Sequence, residues 1–253
     1  MHYYSTVEGF KKLCGYTIND TWYPRVTKIL EIKAKPALYR YYGDLNSFAE
    51  GEVILKNSAS EGTLIHETIE KIMVGESPAI DPSIAPAVRA FMNFVDQKKI
   101  QVDKAWVERQ VVHIGERYAG TIDSMALIDG KFGVLDIKTS KAIYRDYNLQ
   151  TAAYMGVLHE EFKNLQTRWI LRIDQNRNCL KCRATLRQKG GRDKITAYGD
   201  KAKNCAHEWG EAQGHIELKE EPFWKADFEA FLSAKKLWEW ENEDWLKKAD
   251  YLK

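Results

Sequence analysis

The chain has 253 residues, of which 44% are hydrophobic and 29% are charged, and its formal net charge is +2. These values are ordinary for a soluble globular protein, and this length allows one sizeable core with or without a small appendage. No segment approaches the roughly 20 apolar residues that span a bilayer, and the N-terminus lacks the apolar region of a secretory signal. We therefore expect a cytoplasmic protein of a prokaryotic or virus-infected cell, without a membrane partner.

Positive charge is concentrated in one part of the chain. From Lys163 to Lys203 there are twelve Lys or Arg residues and three Asp residues, a local balance of +9. Such a segment could neutralise nucleic-acid phosphates, or it could be an ordinary solvated surface. Charge alone leaves both interpretations open.

An N-terminal segment of short helices and loops is predicted over 1–60. Two stretches in it, YPRVTKIL (23–30) and KPALYRYYG (35–43), combine aromatic with basic residues. Rings and cations together suit a groove for a nucleic-acid strand, but the same residues could simply pack in an N-terminal lobe.

A helix is predicted over 61–75, EGTLIHETIEKIMVG. Apolar residues recur at helical spacing from Ile65 onward, and a final glycine supplies a stop. His66 lies about 100° round the helix from this apolar stripe, and Glu70 lies one turn further on the side of His66. A second helix is expected near 84–97.

Three strands are predicted next, over 106–114, 119–129 and 131–140. The Asp-Gly pair at 129–130 is a strong signal for a two-residue turn between the last two strands. Because side chains alternate along a strand, Asp136 and Lys138 share one face with two apolar residues nearer the strand's start. Apolar positions that lead to charged ones at a strand end indicate an active site at a sheet edge.

The remaining predicted elements complete an α/β protein with a mixed central sheet flanked by helices. They are a helix over 146–162, a strand over 168–174, a returning strand over 214–220 and a C-terminal helix over 227–248. The C-terminal helix carries Trp238, Trp240 and Trp245, which we expect to pack against the core.

A hydrolytic site is indicated by three charged residues taken together. Phosphodiester hydrolysis requires a hard cation that polarises the phosphoryl oxygen and generates hydroxide. Carboxylates suit Mg²⁺ or Mn²⁺, and a lysine can orient the water or stabilise developing charge. Asp136 and Lys138 lie two residues apart on one strand face, and Asp123 on the neighbouring strand could share the same cation. Each residue alone would usually be a solvated strand end.

Four short motifs occur in order: G-T-x-x-H (62–66), G-T-I-D (120–123), D-I-K-T (136–139) and Q-x-x-x-Y (150–154). Together they resemble the PD-(D/E)XK nuclease superfamily, and most closely its RecB-like exonuclease branch. That branch includes the CRISPR-adaptation nucleases and the mitochondrial genome-maintenance exonuclease. The stretch at 23–30 also resembles phage-type members. The resemblance implies a restriction-endonuclease-like nuclease core over 61–174, completed by the strand and helix of 214–253.

The resemblance also implies the roles of individual residues. The ligands of a catalytic Mg²⁺ or Mn²⁺ would be His66, Asp123, Asp136 and the backbone carbonyl of Ile137. Lys138 would be the catalytic lysine. Because a site with an imidazole ligand shifts the metal preference, we expect Mn²⁺ to support activity at least as well as Mg²⁺.

Three further residues are assigned to nucleic-acid binding by the same resemblance. Gln150 and Tyr154, one helical turn apart, would border the site, and Thr139 would contact a phosphate. One departure is Ile122, which stands where the family pattern has proline before the aspartate; many RecB-like members share it.

The activity implied is that of a DNA exonuclease acting on single strands or DNA ends, with recombination or replication proteins as candidate partners. Two alternatives stay open. One is a nicking endonuclease within a larger complex, and the other is a non-catalytic nucleic-acid-binding subunit on the same fold.

A second metal site is indicated by the cysteines, which are Cys14, Cys179, Cys182 and Cys205. Cys179 and Cys182 form a CxxC pair and His207 follows Cys205, so two close pairs of soft ligands suit a tetrahedral structural Zn²⁺. Segment 175–213 is polar and is predicted to be a zinc-ribbon-like insertion that a metal helps to fold. Free thiols are one alternative. A [4Fe–4S] cluster that includes Cys14 is another, since some RecB-like relatives carry such a cluster.

Overall fold

A computed structural model describes residues 4–33, 42, 45 and 47–253. Its helices are Val7–Cys14 (α1), Val26–Ile29 (α2), Phe48–Met73 (α3), Ala85–Lys98 (α4), Asp146–Glu161 (α5), Asp200–Lys203 (α6), Lys225–Glu241 (α7) and Glu243–Lys248 (α8). Its strands are Gly15–Ile18 (β1), Thr21–Pro24 (β2), Gln101–Val102 (β3), Arg109–His113 (β4), Tyr118–Ile122 (β5), Ser124–Ile128 (β6), Lys131–Lys138 (β7), Thr167–Cys179 (β8), Thr185–Lys189 (β9), Arg192–Thr196 (β10) and Trp209–Glu220 (β11). Short 3₁₀ turns occupy Leu30–Ile32 and Lys104–Trp106.

The centre of the fold is a seven-stranded mixed sheet. Its path runs β10-β9-β8-β7-β6-β3, and β11 also pairs with β8. The β7–β8 pair is parallel and its neighbours are antiparallel, because α5 crosses from the end of β7 to the start of β8. One core packs Ile65, Ile69 and Phe91 against one side of β7, and a second core packs Phe10 and Phe231 on the other side. The predicted mixed α/β fold with flanking helices is therefore confirmed.

The segment predicted as one strand over 119–129 is instead two strands, so that prediction was wrong. β5 pairs with β4 in a separate two-stranded sheet, whereas β6 pairs with β7 in the central sheet. The chain changes sheets at Asp123, whose carbonyl oxygen accepts the Glu108 N–H at 3.1 Å. Neither Gly nor Pro stands at the break between Ile122 and Ser124, so the sequence carries no strong signal for it.

The two-residue turn between β6 and β7 is confirmed. Asp129 and Gly130 have φ values of 49° and 78°. Both lie in the left-handed region, which a primed hairpin turn requires and which Asp and Gly tolerate. This turn fixes the register of β6 on β7, with Ser124 opposite Leu135.

Several elements are longer or shorter than predicted. Helix α3 ends near the predicted position but begins at Phe48, where the Ser47 hydroxyl accepts the Glu50 N–H at 3.1 Å. Strand β8 continues to Cys179, and β11 already begins at Trp209. The long β8–β11 ladder therefore reaches into the segment 175–213 that was predicted as an insertion.

The two ends of the chain differ from expectation in detail. The N-terminal segment includes the β1–β2 hairpin, which was not predicted, and most of KPALYRYYG (35–43) lies outside the described residues. The C-terminal helix is interrupted at Asn242, and its Trp238 is buried as expected. The expectation was wrong for Trp240, which is 72% exposed. Within the described part of the chain, no helix combines the length and apolarity needed to cross a lipid bilayer.

Candidate active site and metal centre

Strand β7 presents Asp136 at the centre of the candidate site. The carboxylate is 1% exposed, and its Oδ2 lies 2.6 Å from Lys138 Nζ. Neither of its oxygens accepts a hydrogen bond of regular geometry from any residue that the structure describes. Burial raises the pKa of Asp136 to about 6, while the neighbouring Lys138 acts in the opposite direction. A buried carboxylate with this little hydrogen bonding is costly for the fold, which is typical of a ligand-binding position.

Asp123 is hydrogen-bonded to the same strand. Its Oδ2 accepts the backbone N–H of Ile137, with 2.5 Å between the two atoms. The side chain of Ile137 points to the opposite face of the sheet, into the core that contains Ile65. The aspartates of two predicted motifs therefore flank one stretch of backbone.

His66 approaches the aspartates from α3. Its Nδ1 lies 3.8 Å from Glu70 Oε1, one helical turn away, as the spacing predicted. Burial opposes protonation, but the nearby Glu70 carboxylate and the charge of Asp123 raise the pKa of His66. Gly62, one turn earlier on α3, lies against Thr139 at the end of β7, so His66 is on the turn of α3 next to the strand that carries Asp136.

Lys138 keeps its proton in this environment. Burial alone would lower the pKa of Lys138, but the carboxylates of Asp136 and Asp123 raise it above its usual value. The ammonium also lies 5.3 Å from the ring centroid of Tyr147, a cation–π contact. Lys138 is therefore a fixed positive charge at the edge of the carboxylate group.

Gln150 and Tyr154, which were predicted to border the site, contact each other on α5. Gln150 Nε2 donates to the Tyr154 hydroxyl at 3.1 Å. Burial, and next the charge of Asp136, raises the pKa of Tyr154 well above its usual value. A Cβ atom at Gly120 would lie 2.5 Å from Tyr154 Cε1, so the glycine of the G-T-I-D motif permits this close approach.

Thr139 of the D-I-K-T motif lies against Gly62 of the G-T-x-x-H motif. A Cβ atom at Gly62 would lie 2.7 Å from Thr139 Oγ1, so only glycine lets α3 come this near to the end of β7. The carbonyl oxygen of Thr139 accepts hydrogen bonds from Lys189 Nζ and, at 3.3 Å, from the Arg187 guanidinium. Both cations come from β9, about fifty positions later in the chain.

Two residues of the site were not singled out from the sequence. Lost hydration, together with the charges of Glu70 and Asp123, raises the pKa of Glu108 to about 7. Glu108 reaches the site through the β4–β5 pairing, which no local pattern reports. Tyr147 could have been found, because it shares one helix face with Gln150 and Tyr154.

A compact group of ligand side chains lies elsewhere in the described part of the chain. The group consists of Cys179, Cys182, Cys205 and His207, whose ligand atoms all lie within 4.8 Å of one another. No other three His, Cys, Asp or Glu ligand atoms of the described residues lie this close together. The ligand atoms of His66, Asp123 and Asp136 are therefore more widely spaced.

The Cys/His group has the dimensions of a tetrahedral metal site. The Sγ atoms of Cys179 and Cys205 are 4.0 Å apart, and Cys182 Sγ lies 3.5 Å from His207 Nδ1. Zn–S and Zn–N bonds at tetrahedral angles give edges of about 3.8 and 3.6 Å, whereas a disulfide requires about 2.05 Å. The group can therefore bind a metal such as zinc.

Backbone amides support thiolates at this group. The N–H groups of Lys181 and Ala184 donate to the sulfurs of Cys179 and Cys182, each at 3.4 Å. Burial opposes ionisation of Cys179, but these and neighbouring hydrogen bonds lower its pKa to about 6. Cys14 lies apart, in the N-terminal core, with its Sγ 3.0 Å from the Tyr4 hydroxyl.

Comparisons with known proteins give little further information. No protein-family model and no curated protein matches the chain. Among solved structures, the crystal structure of SSO0001 aligns with a TM-score of 0.31 and 16% identity. The alignment covers 59% of this chain and 61% of that chain, so the likeness spans less than two thirds of SSO0001.

Proposed function

We propose that this protein is a metal-dependent deoxyribonuclease of the PD-(D/E)XK superfamily, of the RecB-like exonuclease type. The observation that carries the proposal is the Asp136 carboxylate, buried without regular hydrogen bonds beside the Lys138 ammonium. Asp123 and His66 adjoin it from a neighbouring strand and from α3. On this proposal the central sheet and its helices form a restriction-endonuclease-like core.

The residues of the site fit Mg²⁺ or Mn²⁺. Carboxylate oxygens of Asp123 and Asp136 are the hard donors that these ions prefer, and the His66 imidazole favours Mn²⁺. The buried Asp136 oxygens, which accept no hydrogen bond of regular geometry, offer lone pairs that a cation would satisfy. A bound divalent ion supplies Lewis-acid activation of the phosphate and of water.

The chain's own groups have separate tasks. Lys138 keeps its proton, so its ammonium stabilises negative charge that develops on the phosphate. The Ile137 N–H holds the Asp123 carboxylate in one orientation. The hydrogen-bonded Gln150 and Tyr154 fix one wall, so that a DNA strand beside Asp136 meets a preorganised surface.

The metal at the Cys/His group is proposed to be structural zinc. The apolar cluster around it contains only Cys179, Ala184 and Ala202 as fully buried members. So small a core stabilises little, and a metal would supply the missing stability. On this proposal the residues between β8 and β11 are a zinc-ribbon-like insertion.

The proposal is tested with 5′- or 3′-labelled linear single-stranded DNA and with circular single-stranded DNA, in Mn²⁺ and in Mg²⁺. We expect release of short products from linear strands, and a loss of at least about a hundredfold in Asp136→Ala. Asp129→Asn is the matched control, since Asp129 is an exposed turn residue and Asn tolerates its conformation.

Other outcomes identify the alternatives. Cutting of circles indicates the nicking endonuclease, and tight binding without cutting indicates the non-catalytic subunit. Undiminished cleavage by Asp136→Ala refutes the assignment of the site.

A further inference from the structure

One face of the β9–β10 hairpin is strongly cationic. Arg187 lies directly opposite Lys194 in the antiparallel register, and Lys189 lies opposite Arg192. Side chains alternate along a strand, so these four cations share one face. The only carboxylate of the two strands, Asp193, lies on the other face, where it accepts a hydrogen bond from Gln188 at 3.0 Å. We call these four residues the cationic face.

The cationic face adjoins the end of β7. β8 pairs with β7 up to Arg172 and with β9 from Arg177, so the hairpin begins where β7 stops. Lys189 and Arg187 both donate to the carbonyl of Thr139, the residue that directly follows Lys138. The cationic face is therefore continuous with the candidate active site.

Two carboxylates, Asp174 and Glu61, partly neutralise the positive charge of Arg187 and Lys189. Asp174 pairs with Arg187 at 2.8 Å, but it also pairs with Arg172. Burial, and next the charge of Arg187, lowers the pKa of Lys189 to about 8. Burial and the charge of Lys194 also lower the pKa of the exposed Lys141, two residues beyond Thr139. Like charges opposite one another destabilise a hairpin, and a bound anion would relieve this repulsion.

Two cations of the basic segment 163–203 outside the hairpin are engaged in ion pairs elsewhere. Arg168 is fully buried and paired with Asp227, so it has a structural role. Arg172 is engaged by Glu217 as well as by Asp174. The exposed cations Lys194 and Lys141 add positive charge close to Arg187.

We propose that the cationic face and Lys141 bind the phosphodiester backbone of the DNA strand that enters the active site, next to the bond to be cut. This inference rests on the proposed function for the identity of the anion. Contacts to phosphates alone carry no sequence preference, so binding should be sequence-independent and strongly salt-dependent.

The test measures the affinity for one labelled oligonucleotide, both as a single strand and as a duplex. All variants carry Asp136→Ala, so that the DNA is not cut during the measurement. Lys141→Gln/Lys194→Gln removes two exposed cations of the proposed surface, and Lys163→Gln/Lys236→Gln removes two exposed cations elsewhere. We expect the first pair to weaken binding roughly tenfold and to reduce the slope of log K against log [salt] by about 1.4 for a single strand or 1.8 for a duplex. The control pair should leave both unchanged.

Weaker binding of the single strand indicates that the surface holds single-stranded DNA. Weaker binding of the duplex indicates that it holds one strand of double-stranded DNA. Unchanged affinity and slope in the first pair, or equal losses in both pairs, overturns the inference. A wild-type protein that fails to cut DNA, but binds it through these lysines, refutes the proposed function alone. A wild-type protein that cuts, with normal binding in the first pair, refutes this inference alone.

Discussion

The Asp123 carboxylate accepts the backbone N–H of Ile137, the residue between Asp136 and Lys138. Asp123 stands at the point where the chain leaves the β4–β5 sheet and enters the central sheet. A hydrogen bond from a side chain to the neighbouring strand restricts the carboxylate to one position at this junction. The two aspartates are thereby fixed relative to each other before any ligand arrives, which is the preorganisation that the proposed catalytic cation would require.

Mn²⁺ is expected to stabilise the folded protein through Asp136. At ten to a hundred times its Kd, an ion that binds only the native state raises the free energy of unfolding by about 1.4–2.7 kcal/mol. For a chain of this size, this corresponds to a rise in Tm of roughly 3–11 °C. Asp136→Asn should lose this shift because it removes the buried anionic ligand. Thermal unfolding of zinc-loaded protein with and without Mn²⁺ measures it. Asp129→Asn should retain the shift, and an equal shift in Asp136→Asn contradicts the site.

Gly62 and Thr139 are expected to be energetically coupled. Gly62→Ala places a methyl group 2.7 Å from Thr139 Oγ1, and such overpacking costs about 1–3 kcal/mol. Thr139→Ala removes that oxygen and leaves the Thr139 Cβ 3.9 Å from the new methyl group. Urea unfolding of both single variants and the double variant should therefore show a smaller cost for Gly62→Ala in the Thr139→Ala background. Additive costs would mean that the two segments do not meet.

Removal of the proposed zinc is expected to unfold the segment between β8 and β11, which includes β9 and β10, while β6, β7 and β8 of the central sheet persist. The purified chain should contain about one zinc, released by a chelator, with faster amide exchange over 180–208 than over β6 and β7. Cys182→Ser should lose the metal. Cys14→Ser should keep it, because Cys14 lies in another core. A brown protein that absorbs near 400 nm and loses its colour in Cys14→Ser would instead support the iron–sulfur alternative.

DNA affinity is expected to fall as the pH rises through the range above 8. The pKa of Lys189 is lowered to about 8, so the free protein loses this cation at higher pH, whereas a bound phosphate favours the charged form. Kd should therefore rise between pH 7.5 and 9.5 at constant ionic strength. Lys189→Arg keeps its charge and should show a weaker pH dependence in fluorescence anisotropy. Identical profiles for the two proteins would exclude Lys189 from the DNA contact.

Local patterns in the sequence determined those elements for which the hydrophobic periodicity and the residues at the element's ends indicate the same structure. The Asp-Gly pair at 129–130 forms the predicted turn, and α5 ends one residue before its predicted end. The alternation on β7 correctly placed Asp136 and Lys138 on one face. The C-x-x-C and C-x-H pairs also predicted the members of a four-ligand group, because ligands two or three residues apart stay close in any fold of the segment. That the two pairs meet depends on the tertiary structure.

Only the tertiary structure decided which distant segments meet. The strand break at Asp123, the approach of Glu108 to Glu70, and the contact of Lys189 with Thr139 all depend on pairing between elements far apart in sequence. Local periodicity reports the backbone conformation and the buried face of one element, but not its partner. Register and sheet order arise from packing and hydrogen bonding over the whole chain, so the surroundings of the predicted site could not be derived from its motifs.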